Sequence, residues 1–250
     1  MTFWEHLHEL RSRLVKALVA FAIGGIVAWY FHEQLLIFIT QPFVEGWHGA
    51  DDSRPTLHFP APASLFLAYI KLSVLGGFIL ALPIILYQVW SFIAPGLYAR
   101  EKRFAIPFVV MSCLLFAGGA YFGWRFVFPM AFDYLLGFVQ VPADSPIRVE
   151  PTVMINEYLE FMTHGLVAFG LVFEIPVVIF FLTVAGVIDH THLIKFFRYF
   201  VVVAFIIAAV ITPPDPMSQL MLAIPLCVLY GISIGIAWLF SKSRRAQKEA

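Results

Sequence analysis

Charge is scarce in this sequence. Asp, Glu, Lys and Arg make up only 13% of the 250 residues, about half the share in soluble domains. With 61% of residues apolar and a mean hydropathy of +0.86, too few charges remain to cover a water-facing surface, so a soluble globular domain is excluded. Disorder is excluded for the opposite reason, because 17% of the residues are aromatic and disordered chains are poor in them. The 16 basic and 16 acidic residues cancel, which removes the field that would draw nucleic acid. Cysteine is nearly absent. Cys113 and Cys227 lie in apolar stretches, giving no disulfide framework, C-x-x-C pair or zinc spacing. Missing as well are a Walker glycine loop, H-E-x-x-H and G-x-S-x-G; His8-Glu9 and His32-Glu33 have no second histidine three residues on. No cofactor, metal site or enzymatic activity is expected, and any energy source must lie outside the chain. What the composition leaves is a polytopic membrane protein.

A helix crosses a bilayer with about 20 apolar residues. Six runs approach that length, at 14–31, 65–91, 104–136, 157–187, 199–212 and 219–240, and predict an all-α single membrane domain over 1–250. The fifth run has 14 residues, which at 1.5 Å each reaches about 21 Å. That falls short of a hydrocarbon core of about 30 Å, so a thinned bilayer or shielding protein is expected there. Of the basic residues, Arg11, Arg13, Lys16, Arg100, Lys102, Arg103, Lys195, Arg198, Lys242, Arg244, Arg245 and Lys248 fall on the amino-terminal side. Arg54 and Arg148 fall opposite, while Lys71 and Arg125 lie within spans. The positive-inside rule then puts both termini in the cytoplasm, in agreement with an even number of spans. The first run reads as a retained helix, because Ala61-Pro62-Ala63 is a remote and proline-containing cleavage candidate. Phe3, Leu7, Leu10 and Leu14 recur at helical spacing, so 1–13 reads as a cytoplasmic amphipathic helix, and 241–250 as a basic cytoplasmic tail. On the far side, 35–39 reads as a short apolar helix that Gln41-Pro42 bends. Asp215 as N-cap with Pro216 behind it starts the sixth helix.

Glu174 stands alone in an otherwise apolar stretch near mid-membrane. A central Asp, Lys or Arg costs about 2.5–3.5 kcal/mol on translocon scales, and such residues face a cavity or a partner and mark function. The plainer reading is a protonated Glu bonded within the bundle. Lys71, Arg125, Glu157 and Glu160 read as interfacial residues that snorkel or pair. Glu9 lies on the polar side of the first helix with Arg13 four residues on, so an ion pair and a binding role stand level. Glu101, if helical, has Leu97, Tyr98, Phe104 and Ala105 as its i±3 and i±4 neighbours. An under-neutralised interfacial carboxylate suits a cationic ligand; a solvated loop charge is the alternative. Two function classes follow: a receptor for cationic peptides that uses Glu9 and Glu101, and a proton-coupled secondary transporter that uses Glu174.

The motifs around these carboxylates are distinctive. His6-Leu7-His8-Glu9-Leu10-Arg11-Ser12-Arg13-Leu14, then Pro83-Ile84-Ile85-Leu86-Tyr87-Gln88-Val89-Trp90 with Phe92-Ile93-Ala94-Pro95-Gly96-Leu97-Tyr98, and Glu101-Lys102-Arg103 follow one another in order. Phe169-Gly170 with Phe173-Glu174-Ile175-Pro176, and Thr212-Pro213-Pro214-Asp215 with Ser218-Gln219, complete the series. Over essentially the whole chain the sequence resembles the TatC family, the core receptor subunits of twin-arginine protein translocases. The resemblance implies six spans with short fifth and sixth helices in a bacterial cytoplasmic membrane. It implies binding of twin-arginine signal peptides and export of folded proteins on the proton-motive force. Small single-span subunits of the TatA and TatB type are the implied partners, and self-association within that complex is compatible with it. Residue by residue, it makes Glu9 and Glu101 the partners of the arginine pair, supported by Arg11 and Phe92. Glu174 and Gln219 become intramembrane partner contacts, with Asp215 near the outer rim and Pro42 and Phe66 on the outer cap. Segment 32–64 shares little beyond its length and Pro42 with the family pattern.

Overall fold

A computed structural model describes residues 3–47, 55–97, 105–137, 151–184, 186–212 and 216–249. α1 (Phe3–Tyr30) is one unbroken helix that joins the amphipathic opening turns to the first apolar run. It is followed by α2 (His32–Glu45), β1 (Leu57–His58) and α3 (Pro62–Leu97). α4 (Ala105–Phe122) passes through a π-helical turn at Gly123–Val127 into α5 (Phe128–Gly137). β2 (Val153–Met154), α6 (Ile155–Phe173), α7 (Ile175–Val184), α8 (His190–Ile211) and α9 (Pro216–Glu249) complete the described chain. Six segments are long and apolar enough to cross a membrane, and the last two, of 22 and 24 residues, are shorter than the first four, of 27 to 32.

Prolines decide where these helices deform. Proline donates no hydrogen bond, and its ring crowds the carbonyl four residues back. Pro129 does this to Arg125, inside the π-helical turn. The helix widens there until the Phe128 N–H bonds the Gly123 carbonyl five residues back. Pro176 does it to Val172: α6 stops at Phe173, and the Glu174 N–H bonds the Leu171 carbonyl at 3.1 Å before α7 resumes at Ile175. Pro42 behaves differently from expectation. Gln41-Pro42 does not end the helix: α2 runs through Pro42 to Glu45. The Phe38 carbonyl, which Pro42 deprives of its helical donor, instead accepts from the Trp124 indole N–H at 3.1 Å. The two rings stack at 4.5 Å and 7°, so a side chain from another helix repairs the break.

The apolar run also understates the fifth helix. α8 begins at His190, capped by the Asp189 carboxylate, which accepts from the His190 N–H at 2.8 Å. Its 22 residues reach about 33 Å, but the length added to the run is polar, so the apolar stretch itself stays shorter than a hydrocarbon core. The added turns are polar and exposed at His192, Lys195 and Arg198, which is why hydropathy passes over them.

α1 and α3 lie antiparallel. Ring pairs fix the register, His6 on Phe92 at 4.5 Å at one end and Trp29 against Phe66 at 5.8 Å at the other. Between them Gly24, Gly25 and Gly77 let the backbones touch, since a Cβ on Gly77 would meet the Gly25 nitrogen at 2.5 Å. The main core lies toward the end remote from the chain termini, where Phe43, Phe128, Phe132, Tyr158 and Met162 are buried together. That end is tied by the Tyr158 hydroxyl donating to the Ile39 carbonyl at 2.6 Å. Ion pairs Lys71–Glu160 at 3.1 Å and Arg125–Glu45 at 2.5 Å add to it, as does a parallel pairing of β1 with β2. Much of the remaining helix surface is apolar and exposed, for example Ile26, Leu114 and Val210.

Candidate functional site

The first turns of α1 and the last described turns of α3 enclose a groove of about 520 Å³. Helical spacing turns Glu5, His8, Glu9 and Arg13 of α1 toward Tyr87 and Gln88 of α3 along its walls. Arg13 donates to Glu9 Oε1 from both Nε, at 3.0 Å, and Nη2, at 2.5 Å. The two side chains are 20% and 27% exposed, less than an ordinary surface pair. Phe92 is half-buried on the same end of the α1–α3 pair, under the His6 ring. Arg11 is exposed and does not line the groove. Glu101 lies outside the described residues, with Tyr98 through Phe104. Two carboxylates beside an aromatic floor form a place where a cation with an apolar neighbour can sit. The groove residues Tyr87 and Gln88, and the role of His6 as a lid on Phe92, were passed over in the sequence; the adjacency of Tyr87-Gln88 to Phe92 in one motif was the available signal.

A second polar feature lies inside the bundle. Glu174, at the joint between α6 and α7, is 8% exposed. It falls ten residues short of the end of the apolar segment Ile155–Val184, a depth of about 15 Å and hence about half a hydrocarbon core. Its Oε1 has no hydrogen-bond partner among the described residues, while the Ser112 hydroxyl of α4 interacts with the carboxyl group. Ser112 is itself buried and accepts from the Trp90 indole of α3 at 2.8 Å. Trp90 in turn packs on Phe108 and Phe181. One carboxyl group is thus linked through a serine to a tryptophan, joining three helical segments. Neither Trp90 nor Ser112 was singled out in the sequence, where an indole and a hydroxyl 22 positions apart carry no joint signal.

Gln219 is held elsewhere, its amide donating to the Phe205 carbonyl at 3.0 Å and so fastening α9 to α8. Asp215 lies outside the described residues, although α9 begins at Pro216 as its cap position requires. Pro42 is fully buried in α2, and Phe66 is 55% exposed near the start of α3. Both belong to the end opposite the groove. Apart from Arg11 and Gln219, the described candidate residues separate into three places: Glu9 in the groove with Phe92 at the same end, Glu174 in the interior, and Pro42 and Phe66 at the far end.

These features define a multi-pass helical membrane protein with a carboxylate-bearing groove at one end and a lone carboxyl group at mid-depth. The model of the family described as Sec-independent protein translocase protein (TatC) matches residues 5–225. The chain belongs to the TatC family. It is 40% identical over 99% of its length to a Sec-independent protein translocase protein TatC of Desulforapulum autotrophicum, covering 88% of that relative. To the TatC of Aquifex aeolicus it is 39% identical, over all of both chains. A crystal structure of the twin arginine translocase receptor TatC superposes with a TM-score of 0.80 at 39% identity, over 93% of this chain and 97% of that one. The chain is accordingly a multi-pass membrane component of a Sec-independent protein translocase, which displaces the proton-coupled transporter alternative.

Proposed function

We propose that this protein is the receptor and scaffold of a twin-arginine translocase, and that Glu9, with Glu101, receives the paired arginines of a signal peptide. The observation that carries this reading is the partly buried Glu9 carboxylate, already holding a guanidinium in an open groove beside Phe92. Guanidinium presents a planar fork that a carboxylate accepts through two parallel bonds, whereas lysine offers a point charge. Two such carboxylates on separate elements distinguish Arg-Arg from Lys-Lys. Arg11 supports the same surface through its charge. The groove end, with the segment 1–13 and the basic tail 241–250, faces the cytoplasm in this reading, as the distribution of Lys and Arg favours. Spans over 14–31, 65–91, 104–136, 157–187, 199–212 and 219–240 anchor it in the inner membrane. Single-span TatA- and TatB-type subunits dock within the membrane at Glu174 and Gln219 and near Asp215 at the outer rim, and folded passengers cross on the proton-motive force.

The test is binding of a labelled twin-arginine peptide, and of its twin-lysine counterpart, to the purified protein in detergent. A preference for Arg-Arg that falls at least tenfold in Glu9→Ala or Glu101→Ala is expected, because losing one charge-assisted pair costs about 1.5–3 kcal/mol. Equal binding of both peptides by the unmodified protein would remove the receptor role.

A further inference from the structure

Four polar side chains of the groove wall have no partner of their own. Glu9 and Arg13 hold each other, but Ser12, Lys16, Tyr87 and Gln88, which line the same groove, make no hydrogen bond or ion pair among the described residues. Helical hydroxyls elsewhere behave differently. Those of Thr40, Ser73, Thr183, Thr212 and Ser233 each donate to the carbonyl four residues back, whereas Ser12 leaves its hydroxyl to the groove. All four groups are donors, two from α1 and two from α3.

Their depth matters. Beyond Lys16, α1 has 14 uncharged residues, Ala17–Tyr30, about 21 Å of helix against a hydrocarbon core of about 30 Å. The Lys16 end of the groove is therefore held at the bilayer boundary, among lipid headgroups. We infer that this end is a binding site for the headgroup of an anionic phospholipid, its phosphate taken by Lys16 and Ser12 from one wall and by Tyr87 and Gln88 from the other. Charge complementarity favours that occupant. With Glu9 neutralised by Arg13, Lys16 is left without a counter-ion, and Glu5, the other carboxylate of the wall, lies 11 residues back, about 16 Å along the axis. A phosphodiester accepts hydrogen bonds and donates none, which matches four donors, while a zwitterionic headgroup brings its own cation and gains less from Lys16. The groove, about 520 Å³, is of the size that takes a small organic group. The site uses donors that the receptor reading leaves idle and stands independently of it.

The full chain, purified in detergent and freed of lipid, tests this by titration with phosphatidylglycerol and with phosphatidylcholine of the same acyl chains, bound lipid being counted by native mass spectrometry. Preferential retention of phosphatidylglycerol is expected. Lys16→Gln should bind it about fivefold more weakly, the worth of one lysine against an anionic lipid. Ser12→Ala, which changes no charge, should bind it about twofold more weakly. Lys195→Gln, which removes an exposed lysine outside the groove, should leave binding unchanged. Equal binding of the two lipids overturns the inference. So does an equal loss in Lys16→Gln and Lys195→Gln, which is attraction to surface charge in general. Displacement of the lipid by millimolar inorganic phosphate marks a site for free anions and overturns it as well. Should Lys16→Gln not fold, Gln88→Ala on the opposite wall decides: weaker phosphatidylglycerol binding supports the site, and unchanged binding removes it.

Discussion

Ser112 is a small residue on which two larger ones depend. It accepts from Trp90 and interacts with Glu174 inside the bundle. Ser112→Ala leaves the indole N–H without its partner in a buried site, which costs about 1–3 kcal/mol. A lower thermal midpoint in detergent is the expected outcome, with Ser112→Thr, which keeps the hydroxyl, retaining more of the stability. Glu174→Ala separates two roles. It removes a buried polar atom, Oε1, that has no partner among the described residues, so the protein should lose little stability. Peptide binding at the distant groove should stay within about twofold, which is less than 0.5 kcal/mol, while co-purification with the single-span subunits falls. Loss of peptide binding in Glu174→Ala would show that groove and interior are one site. At this scale the sequence is legible where rules are local: the Glu9–Arg13 pair follows from a spacing of four on a helix. The Trp90–Ser112–Glu174 chain is illegible because it joins three segments through tertiary packing, which no spacing rule encodes.

Among helices, the α1–α3 contact is the one most sensitive to a single atom. Gly77 faces backbone, with the Gly25 nitrogen and Cα at 2.5 and 2.6 Å from an added Cβ. Main chain cannot swing aside as a side chain can. Gly77→Ala should therefore force the helices apart at about 1–3 kcal/mol and weaken peptide binding by disturbing the groove walls. Gly118→Ala, where an added Cβ meets nothing within 4 Å, serves as the control and should be neutral or slightly stabilising through its higher helix propensity. A melting series in one detergent compares the two. Hydropathy located the helices because length and apolarity suffice to define a membrane-crossing segment. It misjudged α2, where Trp124 rather than the local sequence satisfies the Phe38 carbonyl. It clipped α8, whose first turns are polar and are set by the Asp189 cap. It also gave no hint of the π-helical turn before Pro129, since proline alone does not reveal whether a helix will kink, widen or be repaired.

For the whole molecule, the sidedness argued from Lys and Arg is directly measurable. With Cys113 and Cys227 replaced, single substitutions Pro55→Cys and Lys248→Cys report opposite faces to a membrane-impermeant thiol reagent. Position 55 should label in intact cells, and position 248 only in inverted vesicles; the reverse pattern would turn the proposed groove outward. The architecture also bears on load. α1 makes nearly all of its inter-helix contacts with α3, whereas α3 also touches α2, α4 and α6. Both walls of the groove belong to this one hairpin, riveted at its glycines. A tug on a ligand seated there is borne first by the hairpin as a single stiff body and passes to the rest of the protein through α3. α3 is thus the tow bar of the molecule, and α1 a splint lashed along it.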